Sequence, residues 1–105
     1  MAVLDAIDRN FEELIQCDYA VVDFYGDYCG ACEMFAPLFE DTANDMPYIR
    51  FIHINVSHNP ETAKKNGIES IPTLFYYRNG QRVHKGVGAM DRADFNRHIA
   101  KMLYE

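Results

Sequence analysis

The segment Tyr19–Tyr25 contains AVVDFY, a short run rich in β-branched and aromatic residues. A run of this kind is typical of a strand that is buried on both faces of a sheet. Residues 50–56, RFIHINV, form a second run of the same character. Other segments of the chain must therefore cover both faces of the sheet. A length of 105 residues predicts a single domain, residues 1–105.

Helical periodicity in the other segments supplies the covering elements. The predicted helices cover residues 5–16, 30–45, 60–66 and 91–103. Their apolar stripes are Ile7, Phe11, Leu14 and Ile15 in the first helix, Met34, Leu38 and Thr42 in the second, and Phe95, Ile99 and Met102 in the last. Pro60 suits a first helical turn, Gly67 suits a C-terminal stop, and Asp91 suits an N-cap.

A hairpin completes the pattern of elements. Asn79 and Gly80 both tolerate a positive φ, which predicts a tight turn between strands at residues 73–77 and 81–86. The predicted order is helix, strand, helix, strand, helix, strand, strand, helix. This order favours an α/β fold with a mixed central sheet and helices on both faces.

Two cysteines, Cys29 and Cys32, flank Gly30 and Ala31 at the predicted start of the second helix. The unpaired N–H groups at a helix N-terminus carry about half a positive charge, which stabilises a thiolate. The spacing places both side chains on one helix face, near disulfide distance. We therefore expect Cys29, at the exposed tip, to attack a substrate disulfide, and Cys32 to resolve the mixed disulfide.

Zinc binding and two inert buried thiols are the alternatives for this pair. Structural zinc usually takes four Cys or His ligands. The sequence has no second CxxC pair, and its four histidines form no ligand-spaced pair. We therefore expect no metal. The third cysteine, Cys17, has no close partner in sequence and is expected to be a small buried apolar residue.

Composition excludes several classes of partner. The net charge of −6 argues against nucleic acid or anionic lipid, and no apolar stretch approaches the roughly 20 residues of a membrane span. Residues 1–9 lack the positive start and apolar run of a signal peptide. An odd number of cysteines does not fit a secreted disulfide scaffold. We expect a cytoplasmic protein, in which a close Cys pair is more often catalytic or metal-binding than structural.

Four stretches together resemble the thioredoxin family along almost the whole chain. They are VDFYGDYCGAC at residues 22–32, AP at 36–37, GIESIPT at 67–73, and RNG with GVGA between 78 and 89. The resemblance implies a four- to five-stranded thioredoxin fold whose only redox group is the disulfide Cys29–Cys32, with no bound cofactor. It also implies a monomer that receives electrons from a thioredoxin reductase and passes them to disulfides in target proteins.

The resemblance also assigns roles to residues outside the cysteine pair. Asp23 matches the buried carboxylate that helps to deprotonate the resolving thiol, and Pro72 matches the cis-proline opposite the disulfide. The substrate-facing rim comprises Tyr28, Gly30, Ala31, Ile71, Pro72, Gly88 and Ala89. Independently of the family, an isolated carboxylate in an apolar run predicts a raised pKa for Asp23. His53 stands where the family has a lysine near the carboxylate, so it is a candidate for tuning the pKa of Asp23.

The sequence departs from the family pattern at three other positions beside the motif. Tyr28 replaces the usual Trp, Ala31 the usual Pro, and Glu33 a common Lys. These changes leave the chemistry intact but bear on reduction potential and partner choice. We therefore expect a thiol–disulfide oxidoreductase that reduces disulfides in cytosolic proteins. The alternatives are a binding or scaffold module and a dedicated disulfide oxidant or isomerase, the latter disfavoured by the missing signal peptide.

Overall fold

The computed structural model describes residues 2–105, which form five strands and four helices. The strands are β1 (Val3–Ala6), β2 (Tyr19–Tyr25), β3 (Arg50–Asn55), β4 (Thr73–Arg78) and β5 (Gln81–Val87). The helices are α1 (Phe11–Leu14), α2 (Gly30–Asp45), α3 (Pro60–Lys65) and α4 (Arg92–Tyr104). The strands form one sheet in the order β1-β3-β2-β4-β5.

The sheet is mixed, as predicted. Strand β3 pairs in parallel with both β1 and β2, whereas β4 is antiparallel to β2 and β5. Strand β2 is therefore central, and its five inner residues are all buried. This confirms the prediction that AVVDFY is covered on both faces.

Helices cover the two faces of the sheet unequally. On one face, α2 and α4 pack against alternate residues of the central strands, among them Val21, Phe51 and Tyr76. On the other face, Phe11 and Ile15 of the α1 region pack against the intervening residues. Alternation of side chains along each strand thus divides the apolar residues between two cores.

Several local predictions are confirmed. Helix α2 spans the predicted residues, and Asp91 caps α4 by accepting a hydrogen bond from the Asp94 N–H at 2.8 Å. The turn at Asn79 and Gly80 has φ values of 53° and 79°, which suit a two-residue hairpin. Phe95, Ile99 and Met102 are the buried residues of α4.

The predicted helix over residues 5–16 is wrong in its first half. Val3–Ala6 is a strand, paired residue by residue with β3, and the helix covers only Phe11–Leu14. Between them, the side chain of Asn10 accepts a hydrogen bond from the Ile7 N–H at 2.8 Å and stabilises a turn. Pairing with a distant strand overrides the local helical spacing here.

The predicted apolar stripe of α2 is confirmed at Leu38 and Thr42, which face the core, but is wrong at Met34. Met34 is 81% exposed, whereas the buried residues of the helix are Cys32, Phe35, Phe39, Thr42 and Ala43. Two phenylalanines bury more apolar area than Met34 and Leu38 can, so the helix is rotated to place them on the sheet. The same rotation turns Cys32 inward.

Phe95 is the centre of the aromatic cluster between α4, α2 and the sheet. It is fully buried, and its ring lies 5.1 Å from Phe35 and 6.0 Å from Phe39, centroid to centroid. We expect Phe95→Ala to lower the free energy of unfolding by about 3–5 kcal/mol, through lost transfer energy and a residual cavity. Urea denaturation measures this loss. The control Tyr104→Ala removes an exposed ring of the same helix and should change the free energy of unfolding by less than about 0.5 kcal/mol. Equal losses of stability in the two variants would contradict the assignment of Phe95 to the core.

Candidate active site

Cys29 and Cys32 form a disulfide at the N-terminus of α2, with their Cα atoms 5.3 Å apart. Cys29 is the N-cap residue, and its Sγ accepts a hydrogen bond from the Cys32 N–H at 3.1 Å. Cys29 is half-buried and Cys32 is 5% exposed. The outer sulfur thus lies at the positive end of the helix, where negative charge on it is stabilised.

The loop between β2 and α2 is held by polar contacts to the end of β3. The Asp27 N–H donates to Ser57 Oγ at 3.0 Å, and Asn55 Nδ2 donates to the Asp27 carboxylate at 3.0 Å. His58 adds a contact to the same carboxylate at 2.8 Å. The Asn55 hydrogen bond is the main cause that holds the pKa of Asp27 below its ordinary value.

Tyr28, which follows this anchored aspartate, has a fully exposed side chain and a positive φ of 54°. A left-handed conformation at a non-glycine residue is uncommon and costs about 1 kcal/mol or more. The anchored loop therefore presents the Tyr28 ring to solvent immediately before the disulfide.

The segment around Pro72 faces the disulfide from the other side. The Ile71–Pro72 peptide bond is cis, and the Ile71 carbonyl oxygen lies 3.9 Å from Cys29 Sγ. The Gly88 N–H donates to the Pro72 carbonyl oxygen at 2.8 Å, with Gly88 at a φ of 96°. The structure thus brings the predicted rim residues of three loops to one edge of the sheet, with Ala89 exposed beside them.

Gly26 allows two of these loops to meet. A Cβ atom at this position would lie 2.8 Å from Ile71 Cδ1 and 3.0 Å from Ser57 Oγ. Only glycine permits this approach without displacing its neighbours. The sequence interpretation overlooked Gly26, although a glycine directly after a buried strand is a signal for close backbone approach.

Asp23 lies in the middle of β2. It is 4% exposed, and its Oδ1 atom has no hydrogen-bond partner within residues 2–105. Burial raises the pKa of Asp23 from its ordinary 3.8 to about 7. A cleft of about 620 Å³ has both Asp23 and Cys32 in its lining, together with Glu33 and His53.

His53 is directly opposite Asp23 in the register of β2 and β3. Its Nε2 atom contacts the carboxylate of Asp5, which is the register partner of His53 on β1. Its ring centroid lies 5.0 Å from that of Tyr25. The structure therefore places His53 in the cleft next to Asp23 but pairs its imidazole with Asp5, a residue that the sequence interpretation had assigned to a helix.

Cys17 is half-buried, and desolvation is the main cause that raises the pKa of its thiol. Among the residues that the structure describes, no three His, Cys, Asp or Glu side chains are arranged to hold a metal ion. No helix within residues 2–105 is long and apolar enough to cross a membrane.

Comparison with known proteins identifies close relatives. The Thioredoxin family model matches residues 2–101. The chain is 36% identical over 104 residues to a protein named Thioredoxin from Staphylococcus saprophyticus, covering 98% of this chain and 100% of that protein. It is 33% identical over 92 residues to Thioredoxin from Chlamydia muridarum, covering 88% of this chain and 90% of the relative.

The buried carboxylate predicts an unusual pH dependence of stability. Between its unfolded and folded pKa values, Asp23 holds a proton in the folded state that the unfolded chain releases. The contribution of Asp23 to the free energy of unfolding should therefore fall as pH rises from about 4 to about 7, and then level off. The shift corresponds to a stability loss on the order of 4 kcal/mol above neutral pH.

Asp23→Asn removes the ionisable group. The free energy of unfolding of this variant, relative to that of wild type, should therefore increase as pH rises from about 4 to about 7. Urea denaturation of the oxidised proteins between about pH 4 and pH 8 measures the difference. Asp45→Asn, at an exposed carboxylate of α2, is the matched control and should parallel the wild type. A constant difference between Asp23→Asn and wild type would contradict the raised pKa.

Proposed function

Because this chain belongs to the thioredoxin family, we propose that it reduces protein disulfides by attack of Cys29, with Cys32 as the resolving thiol. The chain is a thiol–disulfide oxidoreductase of the protein-disulfide reductase type, and its redox group is part of the polypeptide. The observation that carries the assignment of roles is the disulfide at the N-terminus of α2, with Cys29 outside and Cys32 inside.

The reaction begins with the reduced form. The Cys29 thiolate attacks one sulfur of a substrate disulfide, which forms a mixed disulfide and releases the other substrate sulfur as a thiolate. The Cys32 thiolate then attacks Cys29 Sγ, releasing the second substrate thiol and forming the Cys29–Cys32 disulfide. Two electrons pass from the protein to the substrate, and the two protons of the dithiol end on the substrate sulfurs.

Exposure supports this order of attack. Cys29 is the more accessible sulfur and lies at the helix N-terminus, whereas Cys32 is enclosed by the first turn of α2. A protein disulfide can reach only the outer sulfur. The inner sulfur needs to reach only Cys29, which the closed disulfide shows to be within bonding distance.

Asp23 is the proposed base for Cys32. A general base works best when its pKa lies near the operating pH, and burial brings the pKa of Asp23 to about 7. The carboxyl and Cys32 line the same cleft, which gives a proton a path between them and to solvent. The missing hydrogen-bond partner of Oδ1 leaves that atom free to accept the proton.

The rim around Cys29 is the proposed substrate site. It consists of Tyr28, Gly30, Ala31, Ile71, Pro72, Gly88 and Ala89. The left-handed conformations of Tyr28 and Gly88 and the contact of Ile71 with the sulfur support this assignment. An extended substrate segment can lie along this edge with its disulfide over Cys29.

His53 is proposed to tune Asp23 from within the cleft. Its pairing with Asp5 fixes the imidazole at the position where the family has a lysine. The Asp5 carboxylate draws the imidazole toward β1, so Asp23 receives no hydrogen bond from it. This arrangement supports a higher pKa for Asp23 than a lysine at position 53 would allow.

The partners and location proposed for the chain follow from the family. The electron donor is a thioredoxin reductase, the electron acceptors are proteins that carry disulfides, and the chain works as a monomeric single domain in the cytoplasm. A scaffold module would need neither an accessible thiol pair nor an unpartnered buried carboxylate. A dedicated oxidant or isomerase is likewise not favoured by the relatives, which are named Thioredoxin.

Removal of the resolving thiol tests the roles of the cysteines. In Cys32→Ser, the mixed disulfide between Cys29 and substrate cannot be resolved, so it should accumulate when the reduced variant meets insulin. Peptide mapping by mass spectrometry should find the adduct on Cys29. Cys17→Ser, the control, should reduce insulin at the wild-type rate. Adducts on Cys17, or none at all, would overturn the assignment.

The role of His53 is tested by a change of charge. In His53→Lys, an ammonium faces the cleft and favours ionised Asp23, so the acidic limb of the pH profile for insulin reduction should move down by about one pH unit. Gln81→Lys adds a positive charge at the exposed start of β5, outside the cleft, and should leave the profile in place. Superimposable profiles for wild type and His53→Lys would reduce His53 to a packing role.

A further inference from the structure

His84 of β5 and His98 of α4 meet away from the active site. His84 Nε2 and His98 Nδ1 lie 2.5 Å apart, and the two rings stack with their centroids 4.7 Å apart. Both residues are half-buried. Nothing in the sequence indicated this contact, because the residues are 14 apart along the chain and meet only when α4 docks against β5.

The two imidazoles differ from the other histidines of the chain. His53 contacts the carboxylate of Asp5, and His58 contacts that of Asp27. Within residues 2–105, His84 and His98 have no carboxylate partner and bond only to each other. Neutral imidazole nitrogens are the commonest metal ligands in proteins, so two that lie side by side are a donor set that a metal ion can use.

The cations nearest to the pair are already engaged. Arg97 is paired with Asp94 on α4, and Lys101 lies 3.8 Å from the carboxylate of Glu105, the C-cap residue of that helix. These pairs offset the positive charge around the imidazoles. The whole chain carries a net charge of −6, which also favours the approach of a cation.

We propose that His84 and His98 form a binding site for a divalent transition-metal ion, with water in the remaining coordination positions. Imidazole nitrogen suits Cu²⁺, Ni²⁺ and Zn²⁺, and the general affinity order places Cu²⁺ highest. Metal–nitrogen bonds of about 2.0–2.1 Å need the two nitrogens to be about 3 Å apart. Small rotations of the two half-buried rings would increase the distance between His84 Nε2 and His98 Nδ1 from 2.5 Å to that value.

A metal ion held by both residues would link the edge strand β5 to the last helix α4. The ring of His98 also lies against β5 at Gly86, where an added Cβ atom would be 3.5 Å from His98 Cε1. Two residues further, Gly88 donates its hydrogen bond to Pro72. A bound metal therefore stabilises the strand that leads to this loop.

The experiment titrates Cu²⁺ alone into the oxidised protein, in which Cys29 and Cys32 cannot bind metal. A Cys17→Ser background removes the remaining thiol. Binding is followed by calorimetry, and electron paramagnetic resonance reports nitrogen ligands. Wild type should bind Cu²⁺ more tightly than Zn²⁺, and the metal should raise its Tm.

Three variants locate the binding. His84→Gln and His98→Phe each remove one ligand and should weaken Cu²⁺ binding roughly tenfold or more, since even loss of an outer-shell partner costs 10–100-fold. His58→Gln removes an exposed imidazole and should change nothing. The Tm measured without metal checks that each variant folds. If His98→Phe does not fold, the affinity of His84→Gln alone tests the proposal. Equal affinity in wild type and His84→Gln, or loss of binding in His58→Gln, would overturn the proposal.

Discussion

Strand β2 is hydrogen-bonded on both sides, in parallel to β3 and antiparallel to β4. This pairing fixes Asp23 opposite His53 on one side and opposite Leu74 on the other. It also determines which loops meet. Because β4 runs against β2, the start of β4 lies beside the end of β2, and the segment before Thr73 comes to the edge where α2 begins. Strand register thus brings together the disulfide, the carboxylate and the proline turn, and the loop contacts described above hold them there.

Burial and ionisation oppose each other at Asp23. An unpartnered carboxyl in a protein interior destabilises the fold once it is charged, and a buried polar atom without a partner calls for a reason. The cleft provides one, because it joins the carboxyl to Cys32 and to solvent without hydrating it fully. The sheet around Asp23 is apolar and tightly paired. The packing of the core that includes Phe35, Phe39 and Phe95 offsets the destabilisation that an ionised Asp23 causes.

Features with a local signal could be predicted from the sequence, and features that depend on distant pairing could not. The cysteine pair, the Asn79–Gly80 turn and the cap at Asp91 each need only neighbouring residues, and each is where the sequence placed it. Strand β1 has four residues and a partner far along the chain, so the helical spacing of Ile7 and Phe11 obscured it. The contact of His53 with Asp5 depends on the same strand, so it could not be predicted from the sequence either.

Strand β3 separates β1 from β2 in the sheet, although both precede β3 in the sequence. During synthesis, β1 and β2 therefore have no partner until the ribosome has produced α2 and then β3. At about 5–20 residues per second, this delay is on the order of seconds. For that time the apolar β2 segment lacks both of the strands that pair with it in the folded sheet. The edge strand β1 can join the sheet only after β3, its one neighbour in the sheet, has emerged.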